Sequence, residues 1–319
     1  MKYLTLSISI IALALSVYVL FKSGDQQPQP ASLPVMAIPG TLDAEINTLN
    51  LEPQAFINAK SWDLPDTLFF AGERVPMERA YIREMFDREL HINTYWHNNT
   101  IFLLKRAHRW IPQMKPIFEE YGIPEDFLYV AVIESGLVND ISPSGAVGFW
   151  QFMEGTAEDF GLEITKDVDQ RYDPIKSTRA AAKYLKKAYE KFHNWTNVAA
   201  AYNRGMTGMD NALDDQLVDS YYDALLNSET SRYLFRVLAI KTIFSDPKKY
   251  GFDIKEDHLY QPEAVKQVEV NSDINDLTEW SKNQGINLLL LKRHNPWLRT
   301  NRLNIKGNRS YEIAIPVEK

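Results

Sequence analysis

The chain has 319 residues, 45% hydrophobic and 12% aromatic, which predicts a globular protein with one main domain and a smaller one. A net charge of −7, a pI near 5.5 and no dense run of Lys or Arg exclude a nucleic-acid surface. Cysteine is absent, so there is no disulfide, no thiolate metal site, no thiol nucleophile and no lipid-modified cysteine.

In chain order, Tyr3 to Phe21 carries no charge and is flanked by Lys2 and Lys22. As a helix it would span roughly 28 Å, about a bilayer's hydrocarbon core. No small-x-small cleavage site follows closely, so residues 1–22 predict a retained signal anchor in preference to a cleaved signal peptide. Residues 23–55 are rich in Pro and Gln and read as an extended tether.

A helical extension is expected over residues 56–112. VPMERAYIREMFDREL predicts a helix that starts near Pro76, with Tyr81, Met85 and Leu90 as its apolar stripe. TYWHNNTIFLLKRAHRWIPQMKPIFEEYGIP predicts two more helices, separated at Pro112. A main helical domain is expected over residues 113–252. In it, PEDFLYVAVIESG places Phe127, Val130, Ala131 and Glu134 on one face, with Gly136 as the stop. Further helices are predicted in PIKSTRAAAKYLKKAYEKF, with Ala181, Tyr184, Leu185 and Ala188 inward, in WTNVAAAYNRG, and in ETSRYLFRVLAIKTIFSDP, stopped at Pro247. Beyond Tyr250 the texture changes. A strand in KQVEV, two short helices in NDLTEWSKNQGI and NLLLLKRHNPWL, and a strand in YEIAIPVEK predict a small β-α-α-β module over residues 262–319. The fold class is therefore mainly α, with that module appended.

The residues that can do chemistry are acids, hydroxyls and amides. Six histidines are scattered without metal-ligand spacing, so no metal site is expected. No nucleophile elbow, Walker loop or dinucleotide fingerprint is present, and no cofactor is expected. Glu134 stands out because it is the only carboxylate in the run Phe127, Val130, Ala131 and Glu134, lies on the apolar face of that helix and falls in its last turn. Poor solvation and the helix dipole both disfavour its carboxylate there, which predicts a raised pKa. A protonated acid near neutral pH is what donating a proton to a poor leaving group requires, such as the bridging oxygen of a glycoside. After it, SPSGAVGFWQF offers two turn glycines, aromatic residues Phe149, Trp150 and Phe152 as pocket walls, and Gln151 as an amide that can read sugar hydroxyl and acetamido groups. By themselves these aromatics read equally as core, and so do Tyr202 and Tyr233.

Taken together, Glu134-Ser135, GAVGFWQF (145–152), AAYN (200–203) and ETSRY (229–233), in this order and spacing, resemble the family 1 lytic murein transglycosylases, particularly the membrane-bound D-type branch. The block RYDPIKSTRAAAKYL is also similar to that branch. Two departures are visible: ESGLVND lacks the aromatic-Asn-Pro that often follows the Glu-Ser pair, and Phe149-Trp150 stands where Leu-Met is commoner. The resemblance implies a lysozyme-like α-helical catalytic domain, a periplasmic location and peptidoglycan glycan strands as substrate. It implies Glu134 as catalytic acid and base, with Ser135 holding its carboxylate. It further implies Ser142, Gln151, Tyr202 and Asn203 along the sugar sites, and Glu229 and Tyr233 contacting substrate or supporting the pocket. The C-terminal module resembles a divergent LysM domain, a peptidoglycan-binding fold. The expected reaction is cleavage of the MurNAc-GlcNAc β-1,4 bond with formation of 1,6-anhydromuramoyl ends. The alternatives are a hydrolytic muramidase and a non-catalytic peptidoglycan-binding scaffold. The sequence names no protein partner.

Overall fold

The structure, a computed structural model, describes residues 60–317. The apolar segment 3–21 and the Pro/Gln-rich tether lie outside the described residues. No helix among the described residues is long and apolar enough to cross a membrane.

The fold is mainly helical, as expected. It opens with a feature that the sequence did not announce, an antiparallel hairpin of β1 (Leu68–Phe70) and β2 (Glu73–Val75). Strands of three residues are too short to show alternation, but the hairpin buries Phe70 and Val75. Helix α1 (Ala80–Tyr95) starts four residues after Pro76. Its buried stripe is Ile82, Phe86 and Leu90, whereas Tyr81 is 50% exposed. Helix α2 (His97–Tyr121) runs unbroken through Pro112 and Pro116, against the expectation of two helices. Leu103, Leu104, Ala107, Met114, Ile117 and Phe118 are buried along its whole length, and that burial outweighs the hydrogen bonds that the prolines remove.

Helix α3 (Leu128–Ser135) ends on Gly136 in the left-handed conformation, whose N–H bonds the Val132 carbonyl at 2.9 Å. Helices α4 (Glu154–Asp159), α5 (Pro174–Phe192), α6 (Trp195–Arg204) and α7 (Met206–Gln216) follow. The Asp173 and Asn194 side chains cap α5 and α6. Helix α8 (Ser228–Ser245) is apolar almost all round: Tyr233, Leu234, Val237, Leu238, Ala239 and Ile240 are each at most 1% exposed. It packs on α1, α3 and α6, so α3 and α8 run side by side through the core.

The C-terminal module pairs β3 (Val265–Val270) with β4 (Tyr311–Pro316) antiparallel, Val265 opposite Pro316, and sets α9 (Leu277–Asn283) and α10 (Leu288–His294) between them in sequence. Its own core holds Leu277, Leu291, Leu303, Ile313 and Ile315 together with Val168, which the helical part contributes. Around Val168 the contact is dense. Asp169 N–H donates to the Trp297 carbonyl at 2.9 Å, Arg299 N–H to the Asp167 carbonyl at 2.8 Å, and the Tyr311 hydroxyl to the Glu163 carboxylate at 2.9 Å.

Candidate active site

The end of α3 opens into a cleft of about 780 Å³, lined by Glu134, Ser135, Ser142, Gln151 and Glu229, and also by residues of α1, α2 and α8. This volume suits a small-molecule or oligomer site. Glu134 sits at its floor. The Tyr233 hydroxyl, reaching across from α8, donates to Glu134 Oε1 at 2.5 Å, which leaves the second carboxylate oxygen open. Arg236, one turn further along α8, donates to the Ile133 carbonyl at 3.1 Å beside it.

Burial pushes the Glu134 carboxyl above its ordinary value. The Tyr233 hydrogen bond and the Arg236 charge pull it down, the Glu229 charge pushes it up, and the net direction is upward. Tyr233 is 1% exposed, and its phenol is held well above its usual range by burial and by Glu134, so it remains a proton-bearing donor.

The loop after α3 is built on two glycines. Gly145 (φ 85°) closes a turn in which Ala146 N–H bonds Ser142 Oγ at 2.9 Å. Gly148 (φ 79°) lies so close to the next segment that a Cβ would sit 2.0 Å from the Arg171 carbonyl oxygen. Gln151 also takes a left-handed backbone, φ 49°, a strain sustained by its surroundings. Its amide nitrogen donates to the Gly148 carbonyl at 2.8 Å and the Asp140 carbonyl at 3.2 Å, which leaves Oε1 as the acceptor on the cleft.

Of the other expected site residues, Ser135 lines the cleft but bonds away from Glu134, and Tyr202 and Asn203 lie outside the lining. Ser135 Oγ donates to the Phe149 carbonyl at 3.0 Å and accepts from Leu137 N–H at 3.1 Å. It thus ties α3 to the loop, and the group that holds the Glu134 carboxylate is Tyr233. Phe149, Trp150 and Phe152 are at most 3% exposed and form core beneath the cleft, not its walls. Trp150 Nε1 donates to Thr178 Oγ1 at 2.9 Å, and the Trp150 carbonyl accepts the Tyr202 hydroxyl at 2.7 Å. The Tyr202 phenol is raised well above its usual range, by burial first and then by Glu134. Asn203 donates to Glu229 at 3.1 Å and accepts from Thr230 at 2.8 Å, so it holds Glu229 at the rim. Glu154, Glu158 and Asp159 are exposed, as expected of a solvated face.

Several lining residues carry no motif. Arg236 follows Glu229 and Tyr233 at helical i+7 and i+3 spacing, a signal that could have found it. Glu89 of α1 is 1% exposed and receives Arg232 Nε at 2.6 Å; 143 positions separate the two, and no sequence pattern joins them. No group of three or more His, Cys, Asp or Glu able to hold a metal occurs among the described residues.

Residues 117–218 match the transglycosylase SLT domain, and residues 266–319 match the soluble lytic transglycosylase C-terminal LysM-like domain. The chain is thus built from an SLT domain followed by the LysM-like domain of the same family of proteins. It is homologous to the membrane-bound lytic murein transglycosylase D of Escherichia coli strain K12, with 24% identity over 251 residues, 76% of this chain and 54% of that protein. The chain therefore spans about half the length of this curated relative. Among solved structures, an inactive mutant of the lytic transglycosylase Slt of Pseudomonas aeruginosa aligns at 21% identity and a TM-score of 0.36, over 47% of this chain and 26% of that one. The 70 kDa soluble lytic transglycosylase of Escherichia coli aligns at 20% identity and a TM-score of 0.36, over 56% and 33%.

Proposed function

We propose that this protein cleaves the MurNAc-GlcNAc β-1,4 bond of peptidoglycan and releases 1,6-anhydromuramoyl ends, with Glu134 as its only acid and base. The observation that carries this reading is one half-buried carboxyl at the floor of the cleft, pushed above its ordinary value by poor solvation and held by a buried tyrosine. Glu134 first gives its proton to the bridging oxygen, as a general acid with a raised pKa can near neutral pH. The carboxylate that forms is stabilised by the Tyr233 hydroxyl and by the Arg236 charge. The N-acetyl carbonyl oxygen of the substrate attacks its own anomeric carbon as the protonated bridging oxygen leaves with the next sugar; Glu134 then takes the proton of the muramoyl 6-hydroxyl, whose oxygen bonds the anomeric carbon and displaces the acyl oxygen.

A two-carboxylate glycosidase needs a second free acid facing the bond. Of the acids that line the cleft besides Glu134, Glu89 is neutralised by Arg232, Glu229 stands exposed at the rim under Asn203, and Asp140 is exposed on the loop after α3, so none is a free, sheltered acid beside Glu134. The membrane-bound relative favours an envelope-associated, periplasmic site of action, with residues 3–21 as the anchor and the LysM-like domain as a hold on the glycan. Turnover of purified sacculi tests the reading. The wild type is expected to release soluble fragments, and Glu134→Gln to fold and release them about 10²–10⁴-fold more slowly. Equal release by both would leave Glu134 a structural part and the protein a scaffold.

A further inference from the structure

The wall of the cleft made by α1 and α2 lies outside residues 117–218 and has its own chemistry. At the elbow between the two helices stands Trp96, with its indole 57% exposed on the cleft. Its backbone is fixed: Trp96 N–H bonds the Ile92 carbonyl at 3.0 Å, Thr100 N–H bonds the Trp96 carbonyl at 3.0 Å, and the fully buried Thr100 hydroxyl locks onto the Asn93 carbonyl at 2.6 Å. A large apolar ring is therefore presented from a fixed backbone at the mouth of the cleft, beside Ile92 at 38% exposure. Ile141, 61% exposed and carried by the glycine loop, lines the same cleft.

Two amides accompany the indole. Asn93 is 9% exposed and spends its Nδ2 on the Glu89 carbonyl at 2.8 Å, while its Oδ1 receives no hydrogen bond among the described residues. The Asn99 side-chain amide makes no hydrogen bond among the described residues, its backbone N–H donating to Asn98 Oδ1 at 2.9 Å. Glu89 of this wall is paired with Arg232, and Arg106 turns its Nε to the Gly136 carbonyl, so the face beside Trp96 is left to Ile92, Asn93 and Asn99 and suits a neutral polar ligand. A pyranose is such a ligand. Its C–H face lies flat on an indole, and its equatorial hydroxyl and acetamido groups reach sideways to amide donors and acceptors.

We infer that the α1–α2 elbow is a sugar-binding subsite, in which Trp96 stacks on an N-acetylated pyranose of the glycan strand and Asn93 and Asn99 read its polar edge. This rests on the reading of the cleft as a glycan-cleaving site. The test uses the full chain carrying Glu134→Gln, titrated calorimetrically with chitohexaose, six β-1,4-linked N-acetylglucosamine units. Adding Trp96→Ala is expected to weaken binding about tenfold, as loss of an aromatic platform does, while Trp96→Tyr keeps most of the affinity. Phe69→Ala, which removes an exposed aromatic side chain outside the cleft, should change nothing. Equal affinity with and without Trp96→Ala, or no binding of chitohexaose by the parent, would overturn the subsite. Sacculus turnover by the wild type is measured alongside. If the wild type digests sacculi and Trp96→Ala changes nothing, the subsite falls alone; if it does not digest them, the proposed activity falls, and the titration still judges the subsite.

Discussion

Tyr233→Phe deletes one hydroxyl and leaves the rest of the site in place. That hydroxyl donates to Glu134 Oε1 at 2.5 Å from a ring that is 1% exposed, so it is the donor that meets the carboxylate in a poorly solvated setting once Glu134 has given up its proton. Hydrogen bonds to charged groups are worth about 1.5–3 kcal/mol. The bond favours the ionised form, so its loss raises the Glu134 carboxyl further and weakens the acid. Two effects follow. The alkaline limb of kcat/KM, which reports the acid of the free enzyme, should move to higher pH by roughly one unit for every 1.4 kcal/mol lost. The rate at the optimum should fall by about 10- to 100-fold, because the carboxylate formed on proton donation has lost its donor. The assay is release of soluble fragments from sacculi across a pH series, with folding checked by circular dichroism. An alkaline limb that stays in place or moves to lower pH would refute the role given to Tyr233.

Stability offers a second handle on the same group. The native Glu134 carboxyl is raised, so its contribution is fully present below its ordinary value and is lost as pH climbs through the native one. Glu134→Gln removes this dependence, and Gln can still accept from Tyr233. Relative to the wild type, the variant should gain about 1.4 kcal/mol per pH unit across that window and then level off; urea melts at pH 4 and pH 8 that show the same difference would refute it. Gly148→Ala should cost at least about 3 kcal/mol, since its Cβ would meet the Arg171 carbonyl at 2.0 Å in a left-handed backbone. Gly145→Ala, with open space around it, should cost only about 1–2 kcal/mol. Equal costs in chemical denaturation would count against the close approach.

Much of this arrangement is legible in the sequence because it is local. The face of α3 and its Gly136 stop follow from helical spacing, as do the inward faces of α5 and α6, and the closing β-α-α-β order follows from the alternation of patterns. Pro112 misleads because a proline marks a helix end only where tertiary burial does not carry the helix through it. Phe149, Trp150 and Phe152 mislead for another reason: aromatic residues beside glycines can line a pocket or support its floor, and only the packing of α5 and α6 behind them decides. What the sequence leaves out is long-range. The Tyr233 partner of Glu134 lies 99 positions away, and Trp96 joins the cleft from helices that carry no motif.

The central claim is that Glu134 transfers a proton within the substrate and that water takes no part. Mass spectrometry of purified sacculi digested by the wild-type protein, with Glu134→Gln as the blank, tests it directly. The account predicts muramoyl ends lighter by one water than reducing ends, the 1,6-anhydro form, because a hydroxyl tethered to the reacting sugar outcompetes solvent through its high effective concentration. Reducing muramoyl ends as the main product would contradict it and would make the protein a hydrolytic muramidase.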